Sequence, residues 1–589
     1  MSDINIKTLQ YVKKYKKQKP SRNLALTRKY LKDNDLQAVP FDKGIGICLM
    51  KRQTYEAKLS EILSLPQFVK EKQTRKNAKH PVIKEHERIC SSLLDLNKKG
   101  KIDDELYEKL KPTGSQPARL YGIAKVHKNT VPTRPFLSMP GSAYHKIGLK
   151  CTEWLSVVKE CQVNSSTKSI SESLKSITLE EDEVIVSFDV TSLYTNVPVN
   201  EAIMECADML YSGKYELPPV EKETFIELLR LSTCDVLMST HDGYYRQVDG
   251  LAMGSPPAPL IANGWLYKRD VEVRGDAKLY ARYMDDIIRS IKRTEINNVL
   301  ESINKLHPQL KFTIERENEG KLPFLDMLIT RRDGKLISSW YSKPTDTGLI
   351  MNFHSLAPKR YKRSVVSGFV HRIHRACSTW EHFHTGLVRA TQILEQNQYP
   401  PQFYEPIIEQ TITKLVENQQ NEDRIAAETN DDETKVVPKK MIFIQYRGKV
   451  TEDYSRALMN CNAPVTPIFT MRKLKTVLPS LKTRVDHKVR NAVVYKITCP
   501  RCASRYVGYT IQHINDRFRQ HLKASQPVGK HLSRCEVLDQ VTVEDMEILE
   551  SCTRSVQFLQ TLEAIHQELI RPEINKKEEW RSRELTIKL

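Results

Sequence analysis

Apolar and polar residues change their spacing along this chain, and each change marks an element. Up to about residue 110, Lys and Arg are interleaved among Leu, Ile and Tyr, which predicts a mainly helical, basic region. Phe41-Asp42-Lys43-Gly44-Ile45-Gly46-Ile47 interrupts it as a glycine-punctuated turn leading into a short apolar run. Residues 117–142 hold two strand-like runs around a polar turn. Val184-Ile-Val-Ser-Phe188, apolar except for Ser187, reads as a buried strand, and it ends at Asp189. Residues 250–259, Gly-Leu-Ala-Met-Gly-Ser-Pro-Pro-Ala-Pro, predict a loop before a helix over Leu260–Arg269. In Lys278–Lys292, two alternating runs flank Tyr283-Met284-Asp285-Asp286, so a hairpin is expected with its acids at the turn. Short strands with turn signals over 311–345 predict a small sheet continuing past these acids. From about 355 to 418 the pattern is helical and rich in His and Arg, including His371, His374 and Arg375.

Residues 418–440 are polar, acidic and nearly free of large apolar side chains, the composition of a linker. Met441 to Tyr446 then predicts a strand. Residues 491–575 predict two short strands, a helix over Gln512–Leu522 with Arg517 and His521 four apart on one face, and a later helix carrying Glu563.

Length and charge narrow the class. A chain of 589 residues with 40% hydrophobic content accommodates two to four domains with real cores. A net charge of +20 implies a polyanionic partner, nucleic acid before membrane. No run of eighteen apolar residues occurs, so no membrane span is expected, and the N-terminus has no signal-peptide apolar stretch. The 12 cysteines are mostly single, which fits a reducing compartment; Cys499 and Cys502 are the exception. Lys13, Lys14, Lys16, Lys17 and Lys19 form a basic cluster, readable as a nuclear-localisation patch or a nucleic-acid-facing arm.

Candidate chemistry centres on the hairpin acids. Carboxylates at a hairpin tip offer the oxygen ligands that Mg²⁺ prefers, although paired acids are more often a solvated turn. Asp189, at the end of an apolar strand, is costly to bury unless paired or metal-bound, which makes it the natural third acid beside Asp285 and Asp286. Tyr194, five residues on, is positioned to meet a nucleotide sugar. Lys125, Lys128 and Arg134 would converge across the 117–142 hairpin, a cluster suited to a triphosphate. Gly254 permits close backbone approach to a ligand.

The order basic hairpin, Asp189, Gly-Ser-Pro loop, Tyr-Met-Asp-Asp, Tyr341-Ser-Lys-Pro-Thr345 resembles the fingers and palm of reverse transcriptases. Ser-Phe-Asp-Val-Thr-Ser-Leu-Tyr-Thr-Asn-Val-Pro, Gly-Leu-Ala-Met-Gly-Ser-Pro and Leu-Pro-Phe-Leu-Asp resemble Penelope-like retroelements in particular, over roughly 40–400. The resemblance implies an RNA-directed DNA polymerase. Two Mg²⁺ ions, with Mn²⁺ as the substitute, would be held mainly by Asp189 and Asp285, with Asp286 in support. Lys125 and Arg134 would hold the incoming dNTP, with Gly254 and Ser255 in the same pocket. Tyr194 would exclude a ribose 2′-hydroxyl, and Tyr341 and Lys343 would form the primer grip.

Val493-Val-Tyr, Tyr506-Val-Gly, Arg517, His521, Glu563 and Asn575 resemble a GIY-YIG endonuclease, with the first motif degraded to Val-Val-Tyr. The resemblance implies one Mg²⁺ on Glu563. Tyr495 and Tyr506 would shape the site, one of them helping to deprotonate the attacking water. Arg517 would act on the scissile phosphate, His521 in the proton network and Asn575 as a brace. Between the tyrosine motifs, where Penelope-like endonucleases carry zinc ligands, stand Cys499 and Cys502. His531 and Cys535 are the expected partners for a structural Zn²⁺, Cys535 replacing the family's usual histidine.

The expected fold class is α+β multidomain: a right-hand polymerase of fingers, palm and thumb, followed by a small α/β GIY-YIG nuclease domain. The boundaries are a basic helical region at 1–110, fingers and palm at 111–355, a thumb-like region at 356–418 and a linker at 419–440. A connector follows at 441–490, basic from Arg472-Lys-Leu-Lys475 to Arg484 and expected to contact nucleic acid, then the nuclease with its zinc insert at 491–580. The expected partners are element RNA, target DNA and dNTPs, with no membrane, in the nucleus after cytoplasmic synthesis. The competing readings are a domesticated RNA- or DNA-binding protein, or a reverse transcriptase of telomerase-like or maturase-like lineage.

Overall fold

The computed structural model describes residues 22–72, 79–126, 130–425, 440–460, 465–471, 478–552 and 555–575. Lys13 to Lys19, Lys128, Arg472–Lys475 and most of the linker fall outside these ranges. The chain is mixed α/β, with six sheets among the described residues.

Most of the described N-terminal region is helical, in the helices Arg22–Asp33, Arg52–Leu63, Pro81–Lys98 and Asp104–Leu110, and short strands interrupt it. Strands β1 (Leu36–Pro40) and β2 (Ile47–Lys51) form an antiparallel hairpin around the glycine turn. β3 (Phe68–Lys70) leaves this region to join a five-stranded sheet in the order β3-β8-β7-β4-β5. Its other strands are β4 (Ala118–Ala124), β5 (Thr133–Ser138), β7 (Val236–Thr240) and β8 (Gly243–Gln247). The hairpin of 117–142 is thus β4 and β5, with Arg134 paired to Ile123.

The acids stand on a separate four-stranded sheet, β11-β6-β10-β9. β6 is Glu183–Val190, β9 Tyr280–Tyr283, β10 Asp286–Lys292 and β11 Phe312–Arg316. Side-chain parity divides the two faces. Val184, Val186, Phe188, Ile287, Ile291 and Phe312 enter the largest core, shared with the helices Val199–Leu210, Lys222–Thr233 and Ala258–Tyr267. Ile185, Ile288 and Ala281 enter a second core. There they meet a three-stranded antiparallel sheet of β12 (Lys321–Phe324), β13 (Met327–Arg332) and β14 (Lys335–Trp340). The expected single sheet past the acids is therefore split. β11 pairs with β6, and the next three strands cover its opposite face. The physical reason is that Ile185, Ile288 and Ala281 make an apolar patch on the face that carries the acids, and this patch needs a cover of its own.

The helix after the Gly/Pro loop is Ala258–Tyr267, two residues earlier at each end than the periodicity implies, because Pro257 and Pro259 suit a helix start. Helices Lys359–Ala376, Trp380–Gln396 and Pro401–Ile425 follow. Asp326 of Leu-Pro-Phe-Leu-Asp fastens the first of them, accepting from Arg372 Nε at 3.0 Å and from Thr167 Oγ1 at 2.8 Å. The third helix runs to Ile425, so the linker predicted from 419 begins later than its composition indicated.

β15 (Lys440–Gln445), the helix Lys449–Asn460 and β16 (Val465–Thr470) make a parallel β-α-β unit. The chain then straps across the main body: Val489 is buried in the largest core, and Lys482 Nζ donates to Ser138 Oγ at 2.8 Å. The expectation of nucleic-acid contact at 441–490 does not suit Lys482, which is engaged by the protein itself. The last sheet is β18-β17-β19, from β17 (Val493–Thr498), β18 (Arg505–Thr510) and β19 (Glu547–Ser551). Its helices are Ile514–His521, Pro527–Arg534 and Val556–Ile570; the first is shorter than predicted, because His513 serves as its N-cap residue.

Candidate active sites

Register brings the acids together. In the β6–β10 ladder Asp286 pairs directly with Asp189, and parity sets both carboxylates on the face that carries Ile185 and Ile288. Asp285 lies in the two-residue turn between β9 and β10, and its carbonyl accepts from Val190 N at 3.1 Å. Crowding is visible in Asp286. Partial removal from water, then the Asp285 and Asp189 charges, push its carboxyl up to about 6, while Lys43 and Lys343 pull it down. A carboxyl whose ionisation is opposed by two neighbouring carboxylates forms with them an oxygen donor set whose charge a divalent cation would relieve, the ligand chemistry that Mg²⁺ takes.

A buried brace behind the turn escaped the sequence reading. Met284 is a non-glycine residue at φ 53°. Its N–H donates to Asn164 Oδ1 at 2.7 Å, and its carbonyl accepts from Arg282 Nη1 at 3.3 Å. Arg282 is fully buried and forks onto Asp270, with Nε–Oδ1 and Nη2–Oδ2 both 2.8 Å, while Nη1 also reaches Asn263 Oδ1 at 3.0 Å. The available signal was an arginine in an otherwise apolar strand with an Asp twelve residues before it.

Tyr194 sits in the short helix Leu193–Asn196 just after β6. Burial pushes its phenol up to about 12, with the Asp285 charge adding and Arg134 opposing, so the ring lies in the field of both. Arg134 Nη1 pairs with Asp42 Oδ1 at 3.2 Å. At Gly254, φ is 117° and a Cβ would stand 2.1 Å from the Leu137 carbonyl oxygen of β5, so the protein's own backbone already requires glycine here. Leu137 N–H in turn donates to the Met253 carbonyl at 2.7 Å, fastening the loop to the β4–β5 hairpin. Ser255 is buried. Lys343 is exposed beyond β14, and burial of part of its stem, then the Lys43 ammonium, hold its pKa down.

The second site is 85 residues of β-hairpin and helix. Tyr495 is fully buried; its hydroxyl lies 2.6 Å from His521 Nε2 and accepts from Arg517 Nε at 3.0 Å. Burial, then Arg517, drives His521 down to about 3, so the ring is neutral. Burial above all raises Tyr495 well beyond the ordinary phenol range, so its hydroxyl keeps its proton and shares a hydrogen bond with Nε2. The Tyr506 and His521 rings meet edge to face at 4.9 Å. Glu563 Oε1 accepts from Tyr509 N at 3.1 Å, fixing the carboxylate against β18. Asn575 clamps Val507 on both sides, accepting its N–H at 2.9 Å and donating to its carbonyl at 2.8 Å. Gly508 is needed there, because a Cβ would stand 2.9 Å from the Tyr495 hydroxyl.

Cys499, Cys502, His531 and Cys535 converge, with one ligand atom of each within 4.8 Å of all the others. Cys502 Sγ is 3.9 Å from Cys535 Sγ and 3.1 Å from His531 Nε2. Zinc–sulfur bonds of about 2.3 Å space tetrahedral sulfurs about 3.8 Å apart, so the four residues fit this ion.

A family model described as an animal helix-turn-helix domain matches residues 349–409, the segment of the Lys359–Ala376 and Trp380–Gln396 helices. No curated protein matches the chain. Among solved structures, telomerase from Candida albicans in complex with the TWJ fragment of telomeric RNA aligns at 12% identity and TM-score 0.42, over 67% of this chain and 69% of that one. Apo telomerase from Candida tropicalis aligns at 11% and 0.37, over 65% and 68%. Sicinivirus 3Dpol RNA-dependent RNA polymerase aligns at 11% and 0.28, over 67% and 86%.

Proposed function

We propose that the chain is a template-directed nucleic-acid polymerase, an RNA-directed DNA polymerase of the Penelope-like kind, joined to a GIY-YIG-type DNA endonuclease. The observation that carries the polymerase is the Asp286–Asp189 pair across one ladder with Asp285 at the adjoining turn, faced by Lys43 and Lys343, while Tyr194 feels both Asp285 and Arg134. Bound by Asp189 and Asp285, Mg²⁺ supplies the charge that phosphoryl transfer needs. The chain's own groups do the rest. Arg134, held by Asp42, orients phosphate oxygens; Tyr194, rigid in its short helix, sets the sugar's position. The +20 net charge and the helical segment at 349–409 suit the template–primer duplex. In the C-terminal unit Arg517 and the Tyr495–His521 pair provide a guanidinium and a proton relay, and Glu563 provides a metal carboxylate. Nicking of target DNA by this unit would expose the 3′-hydroxyl that the polymerase extends along element RNA.

Primer extension on an RNA template with Mg²⁺ and dNTPs is the test. Asp285→Asn is expected to lose at least about 10³-fold in extension while binding RNA as wild type does. Near-normal extension by this variant refutes the metal assignment. For the nuclease, Glu563→Ala is expected to abolish nicking of supercoiled DNA and leave extension intact; equal nicking removes the endonuclease from the reading.

A further inference from the structure

The reading above takes Lys43 only as a charge facing the acids and Asp42 only as the anchor of Arg134; the Asp42–Gly46 turn that carries both links the β4–β5 hairpin to the segment after Lys343. On one side Asp42 N–H donates to the Ala124 carbonyl at 2.9 Å, and the Asp42 carboxylate, nearly fully buried, pairs with Arg134 on β5. On the other side Thr347 Oγ1 donates to the Ile45 carbonyl at 3.3 Å, which brings in the segment that follows Lys343. The turn is built to keep this shape. Gly44 has φ 81°, Phe41 N–H closes onto the Gly46 carbonyl at 3.1 Å, and a Cβ on Gly46 would strike the Phe41 ring. Lys43 is thereby held exposed at the apex, beside the Lys343 ammonium, and both face Asp286.

Two ammonium groups held side by side from segments 300 residues apart repel each other, and only an anion between them turns this into a gain. Asp286 and Glu315 offset part of the charge, but the first is shared with the two other acids. The Asp42–Arg134 pair adds a second sign of an unfinished site: Asp42 Oδ2 and Arg134 Nε are buried and have no hydrogen-bond partner among the described residues.

We infer that Lys43 is a phosphate-binding residue of the polymerase cleft, gripping with Lys343 a phosphate group of the substrate while the turn that carries it bridges the β4–β5 hairpin and the Tyr341–Thr345 segment. This deepens the polymerase reading and rests on it for the source of the phosphate, which is the incoming triphosphate or the primer's terminal phosphodiester.

Steady-state extension by wild type, Lys43→Gln and Lys43→Arg distinguishes the sources. The glutamine variant is expected to weaken one constant about tenfold, with recovery in the arginine variant. A rise in KM for dNTP assigns the triphosphate, and a rise in Kd for the primer–template assigns the primer. No change in either constant overturns the proposal. Lys101→Gln, an exposed lysine on a turn away from the acids, is the control for net charge. If wild type fails to extend at all, the polymerase reading fails separately. Calorimetry with inorganic tripolyphosphate and with a primer duplex then still tests Lys43, and equal affinities of wild type and Lys43→Gln for both probes overturn it.

Discussion

Met284 shows how much a single residue asks of its surroundings. A side-chain-bearing residue at φ 53° is uncommon, and here its N–H and carbonyl are both held from outside the turn, by Asn164 and Arg282. The two supports have different energetic weight. Removing Arg282 strands Asp270 in the core, at about 3–5 kcal/mol. Asn164 is exposed, so Asn164→Ala is expected to leave stability within about 0.5 kcal/mol of wild type. Its effect falls on chemistry instead: kcat for extension is expected to drop about tenfold as the Asp285 carboxylate loses its set position. Single-turnover extension beside a urea melt checks both halves. Asp286 adds a pH signature. Its carboxyl is raised in the folded protein, so its contribution to stability is present below the ordinary carboxylate range and is lost as pH rises through about 6. Asp286→Asn is therefore expected to melt higher than wild type at pH 7.5 without Mg²⁺, and no higher at pH 3.5. Equal melting temperatures at pH 7.5 would mean that the three acids do not repel.

At the scale of elements, the β17–β18 turn shows a local motif completed by a distant one. Cys499 N–H donates to Ser504 O at 2.9 Å and Ala503 N–H to Cys499 O at 3.0 Å, with Ala503 at φ 58°, so the Cys-x-x-Cys turn is pre-shaped for its ligands. The Pro527–Arg534 helix supplies His531, and Cys535 follows at its C-cap. Purified protein is expected to carry one zinc per chain, and Cys499→Ser is expected to lose it. The variant's β17–β18 hairpin should exchange amide hydrogens faster, while the Tyr280–Lys292 hairpin stays protected. Full zinc content in Cys499→Ser would remove the site.

At the scale of the whole molecule, the C-terminal unit is packed onto the body. Gln116 Nε2 donates to Asn491 Oδ1 at 2.7 Å and His513 Nε2 to Ser115 O at 2.7 Å, while a Cβ on Gly114 would stand 2.5 Å from Ile511 O. The His86 and His513 rings meet edge to face at 5.1 Å, and Asp516 and Glu87 are the acids that face His86. Burial, then His513, holds His86 down at about 4. A histidine lowered in the folded state supports it while neutral, so this contribution is present above about pH 6.5 and is lost as pH falls toward 4. Amides of 113–116 and 511–514 are expected to lose protection several-fold more than the β11-β6-β10-β9 sheet between pH 7 and 5. His86→Gln, which cannot be protonated, is expected to flatten that difference.

The amino-acid sequence alone determined what depends on neighbours in the chain. The apolar run of β6, the alternation in the two arms of the Tyr283–Asp286 hairpin, and the four-residue spacings Arg517–His521 and His531–Cys535 follow from strand and helix geometry. The tertiary structure decided what depends on which remote segments share a core. These include the direct Asp286–Asp189 register, the division of the strands after the acids between two sheets, and Gly254 against Leu137. They also include the Arg282–Asp270 brace and the strap that carries Val489 into the largest core. Periodicity records which face of an element is apolar but not which partner covers it, and a buried polar pair leaves no period at all. That is why the acids were legible from their motifs while Lys43, Asn164 and Arg282, which act through segments far from them in sequence, were not.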